Sequence, residues 1–276
     1  MLHPAKASVT RAAAEARREL ARLARPSGEF DASCYFRGAS RLGFYNVGTT
    51  HTRALAKAIY RAHRDEWSID EAMEFADELI VDRYLEVKGV GVEVVALYHQ
   101  VFVPALLRRW KRWLSRGYAD NWATTDAICG FLIGPVVLRF PGQARTIATW
   151  SRDRNMWVRR ASAVGLIASA RKGLALDLAY GVAKRLHADR EDLIQKAVGW
   201  MLREAGKADP KRLERYLRAN GPVMPRTTLR YAIERFDPRK RKALLAATRG
   251  FAPAVRASRK SALPARGRPF KATRGA

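Results

Sequence analysis

Asn155–Lys207 reads NMWVRRASAVGLIASARKGLALDLAYGVAKRLHADREDLIQKAVGWMLREAGK. Two of its segments share one pattern, Val158-Arg159-Arg160-Ala161 and Ile194-Gln195-Lys196-Ala197, set 36 residues apart. Each opens an amphipathic helix with an apolar inner stripe and basic residues near its start. A period of this size in helical sequence marks stacked units, each burying its apolar face against the next. The stretch therefore predicts an all-α chain: an α-solenoid of HEAT-like helical repeats with a concave basic face.

Outward from this stretch, helical periodicity runs from residue 7 to about 247, and strand-like alternation is almost absent. A first helix is expected over Ser8–Ala24 and a second over Arg53–Arg64. Ser68 and Glu71 have capping-box spacing for a third, Ile69–Val81. Further helices are expected over Gly89–Phe102, Ala105–Arg116, Thr124–Phe140, Gln143–Ser151, Met156–Arg171, Leu174–Leu186 and Glu191–Ala205. Asp209-Pro210 and Asp237-Pro238 each pair a capping Asp with Pro at the first helical position. Short helices and tight loops fit one domain over 1–248. The remaining 249–276 is rich in Arg, Lys, Pro, Gly and Ser, and no acid follows Asp237. It reads as a disordered basic tail, either a solubilising end or a non-specific nucleic-acid arm.

Lys and Arg outnumber Asp and Glu 52 to 26, for a formal charge of +26. Such an excess repels itself in a folded chain and favours a polyanionic partner, nucleic acid before an anionic membrane surface. Two cysteines, Cys34 and Cys129, give no disulfide framework and read as small buried apolar groups. The five histidines show no ligand spacing, so no metal and no other cofactor is expected. The longest clean apolar run, 127–138, is shorter than the roughly 18 residues a membrane span needs. The expectation is a soluble cytoplasmic monomer that meets double-stranded DNA at the nucleoid.

Three segments carry a family resemblance: Asn121-Trp122-Ala123-Thr124-Thr125-Asp126, Asn155-Met156-Trp157-Val158-Arg159-Arg160-Ala161, and Ile194 to Glu204, IQKAVGWMLRE. In order and spacing they resemble the DNA alkylation repair family of AlkD-like alkylpurine DNA glycosylases, which are HEAT-like solenoids. The resemblance covers about residues 8–240 and is most specific over 118–206. It implies excision of cationic N3- and N7-alkylated purines from duplex DNA, with the lesion held against the protein rather than flipped into a pocket.

The residues suit that chemistry. A cationic base already weakens its glycosidic bond, so the enzyme has only to stabilise the sugar cation and place a water. The resemblance makes Asp126 the carboxylate that does both. Trp122, one helical turn before it, and Trp200 would flank the lesion, since an indole face attracts a cation by about 0.5–2 kcal/mol. Arg160 would contact the phosphate beside the lesion, with Arg159, Lys196 and Arg203 extending the phosphate track and Tyr35 a further DNA contact. The plain alternative for each is structural: Trp122 and Trp200 as core, Asp126 and Arg160 as an ion pair between repeats. Trp157 reads as a helix-start anchor and Gln195 as a helix-surface or inter-repeat hydrogen-bonding residue.

The chain also departs from the family pattern. Asp192 and Leu193 stand where an aromatic pair is common, Ala123 and Thr125 alter the segment between Trp122 and Asp126, and Gly48 replaces an expected minor-groove Gln. These changes keep an alternative open: a non-catalytic solenoid that holds DNA or branched nucleic acid by backbone contacts alone.

Overall fold

The computed structural model describes residues 4–26, 36 and 42–249. The described residues form an α-helical solenoid with no strand; their one β-bridge joins Gly43 to Tyr84. The helices are α1 (Pro4–Arg22), α2 (Gly48–His63), α3 (Ile69–Ile80), α4 (Leu85–Ala96), α5 (Leu106–Ser115), α6 (Trp122–Ala127), α7 (Gly134–Arg139) and α8 (Gln143–Thr149). They continue through α9 (Met156–Val164), α10 (Ile167–Arg171), α11 (Leu176–Leu186), α12 (Asp192–Ala208), α13 (Pro210–Asn220), α14 (Arg226–Ala232) and α15 (Pro238–Ala247). Short 3₁₀ turns follow α4 and α8, at His99–Val101 and Trp150–Arg152.

Local chemistry sets these bounds. The Ser68–Glu71 capping box is formed in both directions. Asp209 accepts from the Arg212 N–H at 2.8 Å and Asp237 from the Lys240 N–H at 2.9 Å, each ahead of a Pro at the first position. The sequence expectation of one helix over Met156–Arg171 is corrected: it divides at Gly165-Leu166 into α9 and α10. A Cβ at Gly165 would lie 2.8 Å from the Ala161 carbonyl and 3.0 Å from Ile133, so the bend there depends on the missing side chain. The expected helix over Gly89–Phe102 is shifted to Leu85–Ala96, and α14 lies within the helical periodicity in a stretch for which no separate bounds were expected.

Successive repeats pack as α6 on α9, α9 on α12 and α12 on α14. Ion pairs join helices at about one repeat's separation: Arg109–Asp77, Arg160–Asp126, Arg171–Glu204 and Arg203–Glu234 span 32, 34, 33 and 31 residues. The core runs the length of the stack, with Trp110, Trp113, Phe75 and Phe102 fully buried. Cys129 is buried and free, while Cys34 lies outside the described residues. All of the basic tail beyond Arg249 lies outside them too.

One irregularity sits beside the candidate site. Between α6 and α7, Ile128–Ile133 forms a π turn in which the Gly134 N–H reaches the Cys129 carbonyl, five residues back. Pro135 explains it. Proline has no N–H to offer, and its ring crowds the carbonyl four residues before it, so the helix opens by one residue instead of stopping.

Candidate active site

Three asparagine- or repeat-defined helix starts bring the site together. Asn121 caps α6, its side-chain oxygen accepting from the Thr124 N–H at 2.8 Å, which sets Trp122 at the first helical position. Asp126 follows one turn later on the same face. Asn155 caps α9 in the same way, accepting from the Trp157 N–H at 2.8 Å, and Arg159 and Arg160 follow in the first turn. On α12, Lys196, Trp200 and Arg203 recur at i, i+4 and i+7, on one face.

These helices enclose a cleft of about 430 Å³. Trp122 and Asp126 line it from α6, Arg160 from α9, and Leu193, Lys196, Trp200 and Arg203 from α12. Tyr231 of α14 completes it. Its lining thus combines three aromatic rings, one carboxylate and three cationic side chains. A cationic aromatic group meets the rings and the carboxylate, and a phosphate meets the cations.

Asp126 and Arg160 form a bidentate pair. Arg160 Nε donates to Asp126 Oδ1 and Nη2 to Oδ2, both at 2.8 Å. Arg160 Nη1 donates to the Leu193 carbonyl, tying α9 to the start of α12. Arg160 is only 5% exposed, and Asp126 keeps a small accessible edge on the cleft. Burial pushes the Asp126 carboxyl above its ordinary value, outweighing the hydrogen bonds and charge of Arg160 that pull it down. Arg160, expected to touch a phosphate, donates from Nε and Nη2 to Asp126 and from Nη1 to Leu193.

The other expected cations are less uniform. Lys196 Nζ lies 2.6 Å from Asp192, one of the departures from the family pattern, and the hydrogen bond raises the ammonium's pKa. Arg203 pairs with Glu234 and sits 3.5 Å from Glu204. Arg159 is not part of the cleft lining: it donates to Asp189 at 2.7 Å and to the carbonyls of Asp153 and Arg154. The main-chain carbonyl of Gln195 accepts from the Thr228 hydroxyl at 3.0 Å, while its side-chain amide donates to the Asp189 carbonyl at 3.1 Å. Trp157 packs against the core, and Tyr35 lies outside the described residues.

Sequence reasoning missed two aromatic members. Phe36 stacks on Trp122 with ring centroids 5.1 Å apart and planes 6° apart, and no sequence pattern marked it. Tyr231 is 37% exposed in the cleft. Its signal was Gly199, which precedes Trp200: a Cβ there would fall 2.4 Å from the Tyr231 Cβ, so α12 and α14 touch at a glycine. Among the described residues, no three His, Cys, Asp or Glu side chains gather as a metal site, and no helix is long and apolar enough to cross a membrane.

Fold and site together define an α-solenoid whose stacked helices present one aromatic, carboxylate-bearing cleft with a cationic rim. The chain matches the family model of the DNA alkylation repair enzymes over residues 16–236, and it belongs to that family. It is therefore an enzyme of DNA alkylation repair with DNA as its partner or substrate. The fold is similar to a solved structure described as a predicted DNA alkylation repair enzyme from Enterococcus faecalis. The two share 20% sequence identity and a TM-score of 0.62, over 72% of this chain and 90% of that one. No curated protein matches this chain.

Proposed function

We propose that the protein is a monofunctional DNA glycosylase that excises cationic N3- and N7-alkylpurines from duplex DNA. The observation that carries the proposal is one cleft lined by Asp126, Trp122 and Trp200 together. The lesion's positive charge is attracted by the indole faces and by the carboxylate. As the bond from C1′ to the base nitrogen breaks, its electron pair passes to the cationic base, which leaves neutral. Positive charge moves to the sugar, where the Asp126 carboxylate stabilises it. Water then adds to C1′ and its proton passes to Asp126. Arg160 acts through Asp126, fixing the plane of the carboxylate. Lys196 and Arg203 serve the phosphates, and the chain's net charge of +26 steers the duplex in.

Release of 7-methylguanine and 3-methyladenine from methylated duplex DNA tests this. The wild type is expected to release base, and Asp126→Asn to bind the DNA without releasing it. A second reading, a solenoid that binds DNA without cleaving, is favoured by one feature: both oxygens of Asp126 are already engaged by Arg160. Salt-sensitive binding with no release by wild type would establish that reading instead.

A further inference from the structure

The last helix of the described residues, α15, divides its charges between two faces. On the side of α13, Lys240 pairs with Glu214 at 2.5 Å, and Leu244, one turn on, is fully buried. The other face, Pro238, Arg241, Lys242, Leu245, Ala246 and Arg249, recurs at helical spacing and lines a groove of about 400 Å³. Three apolar residues are interleaved there with three cations, and no acid is among the lining.

Arg241, Lys242 and Arg249 are exposed, and none has an acidic partner among the described residues. The sequence from 238 to 276 contains no acid, so it supplies no side-chain carboxylate to neutralise them. The start of α14 adds to the same charge. Arg226 donates to the Thr248 and Leu245 carbonyls at 3.0 and 3.2 Å, which ties it to the end of α15. Burial lowers the Arg226 pKa, and the like charges of Arg230 and Arg249 lower it further. Arg230 is exposed and immediately precedes Tyr231 of the Asp126 cleft. Cations held together in this way repel one another, and phosphates relieve that repulsion.

We propose that this end of the solenoid binds the backbone phosphates of the duplex that occupies the Asp126 cleft, as a lesion-independent clamp on its flank. Tyr231, Arg230, Arg226, Arg249 and then Arg241 with Lys242 lead from the cleft to the groove. Arg241 to Arg249 is about 12 Å of helix, and a DNA strand carries a phosphate about every 3.4 Å of its axis, so about three phosphates lie within reach. Contacts to phosphate alone add affinity without reading sequence or damage. The position of the lesion rests on the proposed function; the binding of undamaged duplex at this end does not.

The test uses the full chain and an undamaged DNA duplex, followed by fluorescence anisotropy at several salt concentrations. Arg241→Gln, Lys242→Gln and Arg249→Gln together keep long polar side chains on an exposed face. This triple variant is expected to weaken binding and to lower the slope of log affinity against log salt by up to about 2.7, the share of three phosphates. The control removes the same charge at α5, where Arg108, Arg112 and Arg116 are also exposed and without acidic partners among the described residues. Equal losses from the two triples would reduce the effect to net charge, and no loss from the α15 triple would place the groove off the DNA; either overturns the proposal. Retained duplex binding with lost binding to anionic lipid vesicles would assign the groove to a membrane surface instead. Two duplexes bound per chain would refute the shared duplex. In single-turnover excision the α15 triple is expected to raise the half-saturating DNA concentration and to keep the maximal rate; a lowered maximal rate would refute a role confined to the flank. If the wild type releases no base, the glycosylase reading fails while the anisotropy still decides this one.

Discussion

Arg160 holds Asp126 by both edges of its guanidinium, Nε to Oδ1 and Nη2 to Oδ2, each at 2.8 Å. The two residues come from adjacent stacked helices, α9 and α6, 34 residues apart. The pair is therefore both a joint of the solenoid and the wall of the cleft. Removing one partner of a buried pair leaves the other charge without compensation, at a cost of about 3–5 kcal/mol. Arg160→Ala is expected to lower the urea midpoint accordingly. Arg160→Lys keeps the charge but not the planar fork, and is expected to lose excision more than stability. An unchanged midpoint in Arg160→Ala would show that the joint is held elsewhere.

Asp126 gives the pH dependence. Its active form is the carboxylate, and burial raises its pKa above the ordinary aspartate value despite Arg160. Excision is expected to fall, as pH drops, at a higher pH than an exposed aspartate of pKa about 3.9 would give. Weakening the pair with Arg160→Lys moves that limb higher still. For stability the sign is opposite. A raised folded pKa favours the protonated native state, so this contribution is present at low pH and lost as pH rises through the folded value. Asp126→Asn leaves the buried Arg160 charge without its partner and keeps one acceptor where two are used, so its thermal midpoint at neutral pH is expected to fall while base release disappears. An acid limb at or below the ordinary aspartate value would dismiss Asp126 as the titrating group.

Much of this was legible in the sequence. The 36-residue echo between Val158 and Ile194 set the solenoid, and α9 begins at the expected Met156, whereas α6 begins at Trp122, two residues before the expected Thr124, because Asn121 caps it. The cleft's members on α6, α9 and α12 were named through the family resemblance of three short local segments. What was not legible is non-local. Whether Arg160 faces a phosphate or Asp126 depends on how two repeats dock, and Phe36 meets Trp122 from far away in the chain with no helical pattern to mark it. The π turn left a local sign, Gly134-Pro135, but a proline inside a helical pattern is compatible with a kink, a stop or an inserted residue.

Asp192 tests the phosphate track. It holds Lys196 at 2.6 Å on the exposed side of α12, at the rim of the cleft. An acid there offsets one cation that a phosphate would otherwise meet. Asp192→Asn is expected to tighten duplex binding and to steepen the plot of log affinity against log salt by up to about 0.9, the share of one added phosphate contact. Fluorescence anisotropy at several salt concentrations measures both. An unchanged slope would place Lys196 off the DNA.

Gly199 tests whether the contact between α12 and α14 shapes the cleft. Its missing side chain lets α14 approach so closely that a Cβ would lie 2.4 Å from the Tyr231 Cβ and 2.7 Å from the Thr228 carbonyl. Neither neighbour is the end of a flexible chain, so the helices must separate to admit a methyl group. Overpacking of this kind costs about 1–3 kcal/mol. Gly199→Ala is expected to destabilise by that amount and, by displacing Tyr231 and the adjacent Trp200, to weaken DNA binding and base release together. Gly181 supplies the control. It lies on the exposed side of α11 with nothing within 4 Å of its would-be Cβ, so Gly181→Ala is expected to stabilise by about 0.5–1 kcal/mol through helix propensity alone. If both alanines stabilise, the α12–α14 contact is looser than its geometry indicates, and Tyr231 is not held in the cleft by it.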